Sequence, residues 1–485
     1  MKMKPKINRF IVLLFLLIGF ELDAQTSDSL TNKSIFDTVR QGSDSIFIVS
    51  GIAIYGNKKT KEKIILRELE FQLGDTIDKS KIQQLLEKSK HNLDKTSLFN
   101  YVTITYQPKE DYNSFLVNIA VEERWYIWPQ IDVAPHNGNL NEWLRDPDFG
   151  KIDYSFGIRR YNFRGCKESV FFNIRRGFNN ITQIGYNDIA IEKSRKNLLS
   201  FMVQMHKRKS GVLKIYDNKA KYIDFEGVDK AFKEYKYELI YTYRPKINVK
   251  NNISVSYTDA TIHDSVAFYN PDYFGGGKTQ IKSVNLSYTF QFDDRNSSYY
   301  PLDGEYLRVS MWKGGLFSDD IDIYKGAFDM RIYRELCPRM YFASQVYGSF
   351  SNGLTPFHFR ETIGANPNVV PGYEKRQISA TRLGYIQTSY KFEVLKTHIW
   401  EIKWLNIPKF NKIHYALYFN FFANCGFASA DASDADDLNK MNGAFLGAIG
   451  AGVDLVTYYD RVFSVYYAKN IQGDGYVGIG VKAAF

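Results

Sequence analysis

Tyr476-Val477-Gly478-Ile479-Gly480-Val481-Lys482-Ala483-Ala484-Phe485 is a segment in which larger apolar residues alternate with small or polar ones. A period of two places alternate side chains on opposite faces of a β-strand. Segments of this kind recur from about residue 125 to Phe485, and the remaining sequence offers too few helices to cover them. A closed barrel, apolar toward lipid and polar toward a lumen, accommodates this pattern. The sequence therefore predicts a mainly β protein of the outer membrane.

The composition agrees with a barrel that lies in a membrane. Aromatic residues make up 16% of the 485 residues, with 35 Tyr and 36 Phe, and membrane barrels concentrate such side chains in girdles at both interfaces. No segment after the N-terminus offers 18 consecutive apolar residues, which excludes a helical membrane protein. An aromatic-rich soluble β-sandwich is the alternative, but open soluble sheets rarely have so many strands.

About 16 segments are predicted as strands of a transmembrane β-barrel. They are 125–134, 152–162, 168–177, 181–191, 198–208, 235–244, 248–262, 279–293, 304–314, 321–335, 339–349, 382–395, 413–425, 443–456, 460–468 and 475–485. The even number is what single-chain bacterial barrels have. If the first strand runs outward, the long connections 209–234 and 350–381 lie on the outer side. Connection 396–412 then lies on the inner side, where it is longer than a turn should be.

The N-terminus resembles a secretion signal. The apolar run 10–20 follows four basic residues, Lys2, Lys4, Lys6 and Arg9. This order predicts a signal peptide over residues 1–24, cleaved after Ala24. Residues 25–45 are polar and are predicted to form a flexible periplasmic lead-in. No cysteine comes directly after the apolar run, so a lipoprotein anchor is not indicated.

Charge and cysteine spacing exclude several classes of function. The net charge is +10, but Lys and Arg are spread along the chain rather than gathered in a basic stripe, so nucleic acid is excluded as a partner. Cys166, Cys337 and Cys425 lack the spacing of a metal or redox site, although a disulfide stays open. No nucleophile elbow, metalloprotease motif or phosphate loop is present. We therefore predict no enzyme, catalytic residue, metal or cofactor.

Residues 46–123 differ in character from the barrel and predict one small α+β domain. A strand over 46–54 precedes a helix that we expect Thr60 to cap, and Asp78 or Ser80 is predicted to cap a second helix. Strands over 99–106 and 115–123 follow, so the predicted order is βααββ. The barrel is then assigned to residues 125–485.

Three features make this small domain resemble a POTRA domain. Gly56 and Asn57 form its turn, Phe99 and Val102 open a later strand, and Val117-Asn118-Ile119-Ala120-Val121-Glu122-Glu123 closes it. The resemblance implies a periplasmic domain with an exposed sheet edge, to which a client or partner strand can add. The chain has room for one copy.

A turn motif in the barrel is also specific. Asp293-Asp294-Arg295, followed by Pro301 and Gly304, bridges the eighth and ninth predicted strands. It resembles the periplasmic turn of the BamA/TamA-type outer-membrane assembly and translocation superfamily, also called the bacterial surface antigen family. The resemblance covers about residues 46–485.

A second barrel motif departs from this superfamily. The long connection 350–381 contains Val370-Pro371-Gly372-Tyr373-Glu374. It resembles the superfamily loop that folds into the lumen and docks an arginine on the barrel wall, but Pro371 stands where that arginine is expected. Proline cannot make the charge-assisted contacts of a guanidinium, for which Lys375 or Arg376 are the nearby substitutes.

The C-terminal part of the chain carries a further resemblance. Phe421-Phe422-Ala423-Asn424-Cys425-Gly426 is similar to a strand of the superfamily in which an aspartate is common at the position of Asn424. The terminal strand that ends in Phe485 is also similar.

The resemblance implies a non-enzymatic factor for assembly, insertion or translocation of outer-membrane proteins, with the POTRA domain in the periplasm. The single POTRA domain and Pro371 favour a specialised or accessory member. The expected partners are the outer-membrane lipid bilayer, unfolded outer-membrane or secreted clients, and periplasmic or lipoprotein accessory subunits. The alternative is a secretion channel or pore that exports one cognate partner.

Overall fold

The computed structural model describes residues 46–109, 113–135, 143, 147–208, 210–224, 231–317, 320–352, 355–364, 370–401, 412–430, 440–457 and 461–482. The predicted signal peptide (1–24), the lead-in (25–45) and Phe485 lie outside these residues.

The N-terminal domain is a four-stranded sheet covered by two helices. Its elements are β1 (Ile46–Tyr55), α1 (Glu62–Leu66), β2 (Thr76–Asp78), α2 (Lys79–Lys95), β3 (Phe99–Lys109) and β4 (Ser114–Glu123). The sheet order is β2-β1-β4-β3, with β1 parallel to β4 and the other pairs antiparallel. The βααββ prediction therefore omits β2, which has three residues and is too short to show a period.

Of the two predicted helix caps, one is confirmed and one is wrong. The Asp78 carboxylate accepts a hydrogen bond from the Ser80 N–H at 2.9 Å and caps α2. Thr60 does not cap α1, whose N-cap is Lys61. The Thr60 hydroxyl instead donates to Glu123 at 2.7 Å, because β4 brings that carboxylate beside the turn.

The core of this domain lies between the helices and one face of the sheet. Its most buried side chains include Ile64, Ile65, Leu93, Phe99, Phe115, Val117 and Ile119. Burying each such side chain stabilises the fold by about 1.5–3 kcal/mol. Phe99 and Val102, predicted from the strand-opening motif, both belong to this core.

The rest of the described chain is dominated by strands. They are β5 (Ile127–Pro135), β6 (Ile152–Phe163), β7 (Glu168–Gly177), β8 (Asn179–Ala190), β9 (Asn197–Arg208), β10 (Ser210–Tyr216), β11 (Lys219–Asp224), β12 (Phe232–Lys246), β13 (Val249–Ile262), β14 (Gln280–Asp293), β15 (Gly304–Gly314), β16 (Ile323–Cys337), β17 (Met340–Ser351), β18 (Glu361–Ile363), β19 (Ile378–Ala380), β20 (Arg382–Glu401), β21 (Lys412–Ser429), β22 (Phe445–Thr457), β23 (Arg461–Asn470) and β24 (Gly475–Lys482).

Sixteen of these strands form one antiparallel sheet that runs from β5 to β24 in chain order, leaving out the hairpins β10–β11 and β18–β19. All sixteen predicted strands are confirmed. Among the described residues no strand ladder joins β5 to β24, so these two strands are the edges of the sheet. We call the boundary between them the seam.

The strands expose apolar side chains and bury polar ones, which is the opposite of the arrangement in a soluble sheet. On β6, the apolar side chains of Tyr154, Phe156 and Ile158 are 55%, 59% and 48% exposed. The polar side chains of Asp153 and Ser155, which point to the other face, are buried. An apolar outer face and a polar inner face are what a barrel in lipid requires.

One predicted connection is wrong. Residues 396–401 and Lys412 belong to paired strands rather than to a long inner loop, because β20 and β21 pair as far as Glu401 and Lys412. The register shifts between Glu393 and Leu395 and again between Leu395 and His398. These bulges interrupt the alternation from which strands are recognised, so the sequence pattern ends too early. Residues 402–411 lie outside the described part of the chain.

Contacts with the N-terminal domain distinguish the two ends of the barrel. Lys61 N–H donates to the Gly165 carbonyl in the turn between β6 and β7 at 3.0 Å, and Arg67 donates to the Arg195 carbonyl between β8 and β9 at 3.4 Å. We call this the domain end and the opposite one the far end. The described parts of the predicted outer connections 209–234 and 350–381 lie at the far end.

The far end has a small apolar core of its own. Helix α3 (Asp264–Tyr269) and its neighbours bury Phe232, Val266, Tyr273, Phe274 and Ile323. The His358 ring lies 5.3 Å from the rings of both Phe232 and Phe274. No helix in the described residues is long and apolar enough to cross a membrane.

Candidate functional site: contacts at both ends of the lumen

The loop motif that begins at Val370 docks on the inner wall near the seam. Tyr373 is 1% exposed. Its hydroxyl oxygen lies 3.0 Å from the Gly447 carbonyl oxygen and accepts the Gly447 N–H at 2.8 Å. The same hydroxyl lies 2.7 Å from Gln472 Oε1. These partners belong to β22 and to the turn before β24, so the loop contacts the last strands of the sheet.

Position 372 requires a glycine because the loop backbone lies very close to the barrel wall there. Its φ is +97°, which L-residues with a side chain rarely adopt, and an added Cβ would lie 2.5 Å from Ala448 Cβ. The Gly372 carbonyl accepts a hydrogen bond from Asn470 Nδ2 at 2.9 Å. The loop backbone therefore lies directly against β22 and β23.

Pro371 and Asn424 contact each other. Asn424 Nδ2 donates to the Pro371 carbonyl oxygen at 3.0 Å. Both residues depart from the resembled pattern, one at the arginine position and one at the aspartate position. The two departures thus meet in one hydrogen bond between neutral groups.

The cations next to the motif bind the last turn and strand of the sheet. Arg376 forms an ion pair with Asp474 at 3.1 Å, and Lys375 Nζ lies 4.5 Å from the centre of the Tyr476 ring. The Glu374 carboxylate accepts the Gly372 N–H at 2.8 Å and a hydrogen bond from Tyr466. Burial raises the pKa of Glu374 above its ordinary value.

The predicted turn motif lies at the domain end between β14 and β15. Arg295 donates two hydrogen bonds to the Asp293 carboxylate, at 2.9 and 2.8 Å. Asp294 N–H donates to the Glu305 carbonyl at 2.9 Å and continues the ladder. Pro301 is buried within the turn and Gly304 begins β15. The motif thus holds a long turn in one shape.

This turn reaches across the lumen. The Tyr300 hydroxyl donates to Asp454 Oδ2 on β22 at 2.8 Å. The Tyr300 ring lies 4.9 Å from the Tyr418 ring, and Lys391 Nζ lies 3.8 Å from its centre. Because β14 and β22 are the eighth and fourteenth strands of the sheet, the contact joins distant parts of the wall. We call residues 296–302 the crossing turn.

Sequence reasoning missed Tyr300 and Asp454. The available signal was an aspartate in the otherwise apolar strand β22, together with Tyr299-Tyr300 in a polar turn. Neither feature identifies the other as its partner.

Sequence reasoning also missed how the N-terminal domain is held. Glu68, just after α1, accepts two hydrogen bonds from Arg244 near the end of β12, at 2.9 and 2.8 Å. Arg67 and Lys167 lie 2.7 and 3.5 Å from the same carboxylate. Burial opposes ionisation of Glu68, but Lys167 and Arg244 outweigh it and hold its pKa well below the ordinary value.

The predicted POTRA turn is built around one glycine. Gly56 has φ +87°, and a Cβ there would lie 1.9 Å from the Val121 carbonyl oxygen. Asn57 Nδ2 donates to the Thr60 carbonyl at 3.2 Å and closes the turn. The sheet edges are the short β2 and the longer β3, which begins with Phe99.

Known proteins resemble both parts of this architecture. Residues 47–124 match the family described as POTRA, surface antigen variable number repeat. Over 90% of its length the chain is similar to the structure of BamA from Haemophilus ducreyi lacking POTRA domains 1–3, with a TM-score of 0.52, 14% identity and 84% of that chain covered. It is also similar to CdiB from Escherichia coli over 90% of its length, with a TM-score of 0.54, 10% identity and 75% of that chain covered.

CdiB from Acinetobacter baumannii gives a TM-score of 0.50 at 12% identity, covering 90% of this chain and 74% of that one. No curated protein matches the chain in sequence. At these identities the likeness is one of fold. The chain therefore resembles BamA/TamA-type barrels and carries a single POTRA domain at the domain end.

Proposed function

We propose that this protein is a non-enzymatic factor of the outer membrane that assembles, inserts or translocates other proteins, as a specialised or accessory member of its class. The POTRA domain is then periplasmic and receives unfolded clients, and the apolar outer face of the barrel contacts the lipid bilayer. Periplasmic or lipoprotein subunits are its expected accessory partners. The architecture shared with BamA and CdiB supports this placement.

The observation that carries the proposal is the seam between β5 and β24. Every other boundary between neighbouring strands of the sheet has a ladder of paired residues. In hydrocarbon each lost backbone hydrogen bond costs several kcal/mol, so the wall opens at the seam with the smallest loss. A client strand that pairs with an edge at the seam would regain such bonds. Folding of the client then supplies the driving energy.

The position of the loop motif supports the same route. Tyr373, Gly372 and Arg376 contact strands or turns between β22 and β24, next to the seam. These contacts hold the last strands in place while the seam changes. The loop therefore acts as a brace for the edge against which a client strand would pair.

The alternative function is a secretion channel or pore for one cognate partner. In the described conformation the crossing turn spans the lumen from Tyr300 to Asp454. At the far end, the Gln377 N–H donates to the Asn218 carbonyl at the tip of hairpin β10–β11 at 2.8 Å. Export through the lumen would require both contacts to break, so the geometry favours the seam.

Depletion of the protein tests this proposal. Outer-membrane proteins are quantified by mass spectrometry after depletion, and a lipid-sensitive dye controls for general leakage. We expect one or a few barrel proteins to be lost. Broad loss would make the protein a general insertase in spite of Pro371. Unchanged protein levels with altered solute uptake would overturn the proposal in favour of a pore.

A further inference from the structure

A polar cleft separates the N-terminal domain from the crossing turn. Its volume is about 300 Å³. One wall consists of the end of α2 and the beginning of β3, and the other consists of residues 296–299. The crossing turn therefore has two roles, since it lines this cleft and also reaches through Tyr300 into the lumen.

The charged groups of the cleft are mostly cations. Lys90, Lys95 and Arg124 line it, with Asp94 as the one carboxylate among its lining residues. Burial lowers the pKa of Lys95, against the attraction of Asp294 and Asp293 on the neighbouring strand end. The cleft thus carries excess positive charge in a place partly shielded from water, where a carboxylate is attracted more strongly than on an open surface.

A second feature of the cleft is the buried side-chain amide of Asn100. Asn100 Nδ2 is shielded from solvent and has no hydrogen-bond partner within the described residues. Asn100 lies in a bulge, because the register of β3 on β4 shifts between Phe99 and Tyr101. A buried donor without an acceptor is costly, and natural structures seldom keep one. An oxygen atom of a ligand would satisfy it.

The cleft lies at the beginning of an edge strand. In the domain sheet β3 pairs with β4 and forms the edge opposite β2. Edge strands accept an added extended peptide through their backbone groups. A peptide that extends along β3 toward Phe99 enters the cleft, where the cations and Asn100 meet its side chains or its end.

We infer that this cleft is a binding site for a carboxylate carried on an extended peptide segment. Lys90 and Lys95 supply charge, and the Asn100 amide donates a hydrogen bond to the carboxylate or to a peptide carbonyl. The carboxylate comes either from acidic side chains or from a chain terminus. That the peptide belongs to a client rests on the proposed function, whereas the binding itself does not.

The test uses the full-length protein purified in detergent and a short fluorescent peptide of alternating glutamate and valine. Three matched peptides separate the sources of the carboxylate: one with glutamine in place of glutamate, one with an amidated C-terminus, and one with both changes. Anisotropy gives the Kd of each. We expect the glutamate peptide to bind, and binding to weaken when salt rises from 50 to 300 mM, because salt screens partly exposed charges.

Substitutions identify the site. Replacing both lysines (K90Q and K95Q together) is expected to weaken binding about fivefold, since each partly exposed charge contributes modestly. Asn100→Asp, which keeps the shape and adds a repelling charge, is expected to weaken it about tenfold. Lys88→Gln is the matched control, because Lys88 is exposed on the same helix and does not line the cleft.

Equal binding of wild type and K90Q/K95Q would overturn the inference, as would equal binding of the unchanged glutamate peptide and the doubly changed peptide, which carries no carboxylate. Loss of binding on amidation alone would assign the site to a chain terminus. Depletion proteomics reads out the proposed function separately. A protein that binds the peptide but whose depletion changes only solute uptake would keep the site and lose the proposed function.

Discussion

Asn424 donates its side-chain amide to the carbonyl oxygen of Pro371 at 3.0 Å, where the resembled superfamily has an aspartate and an arginine. The two departures therefore belong to one contact. A carboxylate at 424 would face the Pro371 carbonyl without a proton to donate. The neutral groups of Pro371 and Asn424 are compatible with each other. Substituting one of these residues alone should therefore destabilise the loop more than substituting both.

A double-mutant cycle tests this coupling. Asn424→Asp should destabilise the loop by about 1–3 kcal/mol, because it leaves two buried acceptors in contact. Pro371→Arg combined with Asn424→Asp should recover part of that loss through a charge-assisted bond. Urea unfolding of the purified barrel, followed by heat-modifiable mobility on gels, gives the free energies.

The control for this cycle is Asn251→Asp. The Asn251 side-chain oxygen accepts a hydrogen bond from Tyr288 at 2.8 Å, and a carboxylate accepts it equally well. Its stability should change by less than about 0.5 kcal/mol, as for other surface substitutions. Additive effects of the two substitutions at 371 and 424 would show that the residues are not coupled.

The contact of Tyr300 with Asp454 predicts a permeability phenotype. Tyr300→Phe removes one hydrogen bond across the lumen, and Tyr300→Ala also removes the ring that packs on Tyr418. We expect the rate of channel opening in planar bilayers to rise in Tyr300→Phe and to rise further in Tyr300→Ala. Sensitivity of cells to a large antibiotic should follow the same order.

Tyr288→Phe provides the comparison for that experiment. Tyr288 is an exposed tyrosine on β14 that also loses one hydrogen bond when it is changed to phenylalanine. Its conductance should equal that of the wild type. Unchanged conductance in Tyr300→Ala would mean that the crossing turn does not limit passage.

Much of the barrel follows from sequence because lipid imposes one rule on every strand. Side chains such as Tyr154, Phe156 and Ile158 must face hydrocarbon, so the period of two is preserved wherever the wall is regular. It fails where bulges shift the register, as after Glu393. For that reason the sequence predicts a connection over 396–412, although β20 and β21 are paired as far as Glu401 and Lys412.

The candidate site is less predictable because its contacts join distant parts of the chain. Tyr300 and Asp454 are 154 residues apart, and Glu68 and Arg244 are 176 residues apart. No sequence pattern near either residue of a pair identifies its partner. A buried charge can be predicted only when the position of its partner in the fold is known. The loop motif was predicted because Val370, Gly372 and Tyr373 resemble a pattern of the superfamily.

Glu68 and the cations Arg67, Lys167 and Arg244 form a cluster that predicts how docking of the POTRA domain depends on pH. The docked pKa of Glu68 lies well below its ordinary value, which is about 4.3 in an unperturbed side chain. A depressed carboxyl pKa contributes stability that is fully present above the unperturbed value and is lost as pH falls through the docked one. Docking should therefore hold from pH 7 to 5 and weaken below about pH 4.

Distance measurements between spin labels can follow this docking. One label is placed at Lys88→Cys on α2 and the other on the native, exposed Cys337, with Cys166 and Cys425 changed to serine. Glu68→Gln should broaden the distances already at pH 7, because it leaves three cations without a counter-charge, a cost of about 3–5 kcal/mol. Glu87→Gln, an exposed change on α2, should not. Narrow distances in Glu68→Gln would refute the role of this cluster.

The seam predicts where a client touches the barrel. Val477 on β24 is 65% exposed beside the edge of the sheet, and Tyr237 on β12 is 49% exposed far from it. A photo-reactive benzoylphenylalanine at Val477 should form crosslinks in living cells to the same proteins that depletion reduces. At Tyr237 it should crosslink to none of them, because β12 has a ladder on both sides and offers no edge. Client crosslinks of equal yield at both positions would place the client on the general outer surface, and the seam would then have no special part in the reaction.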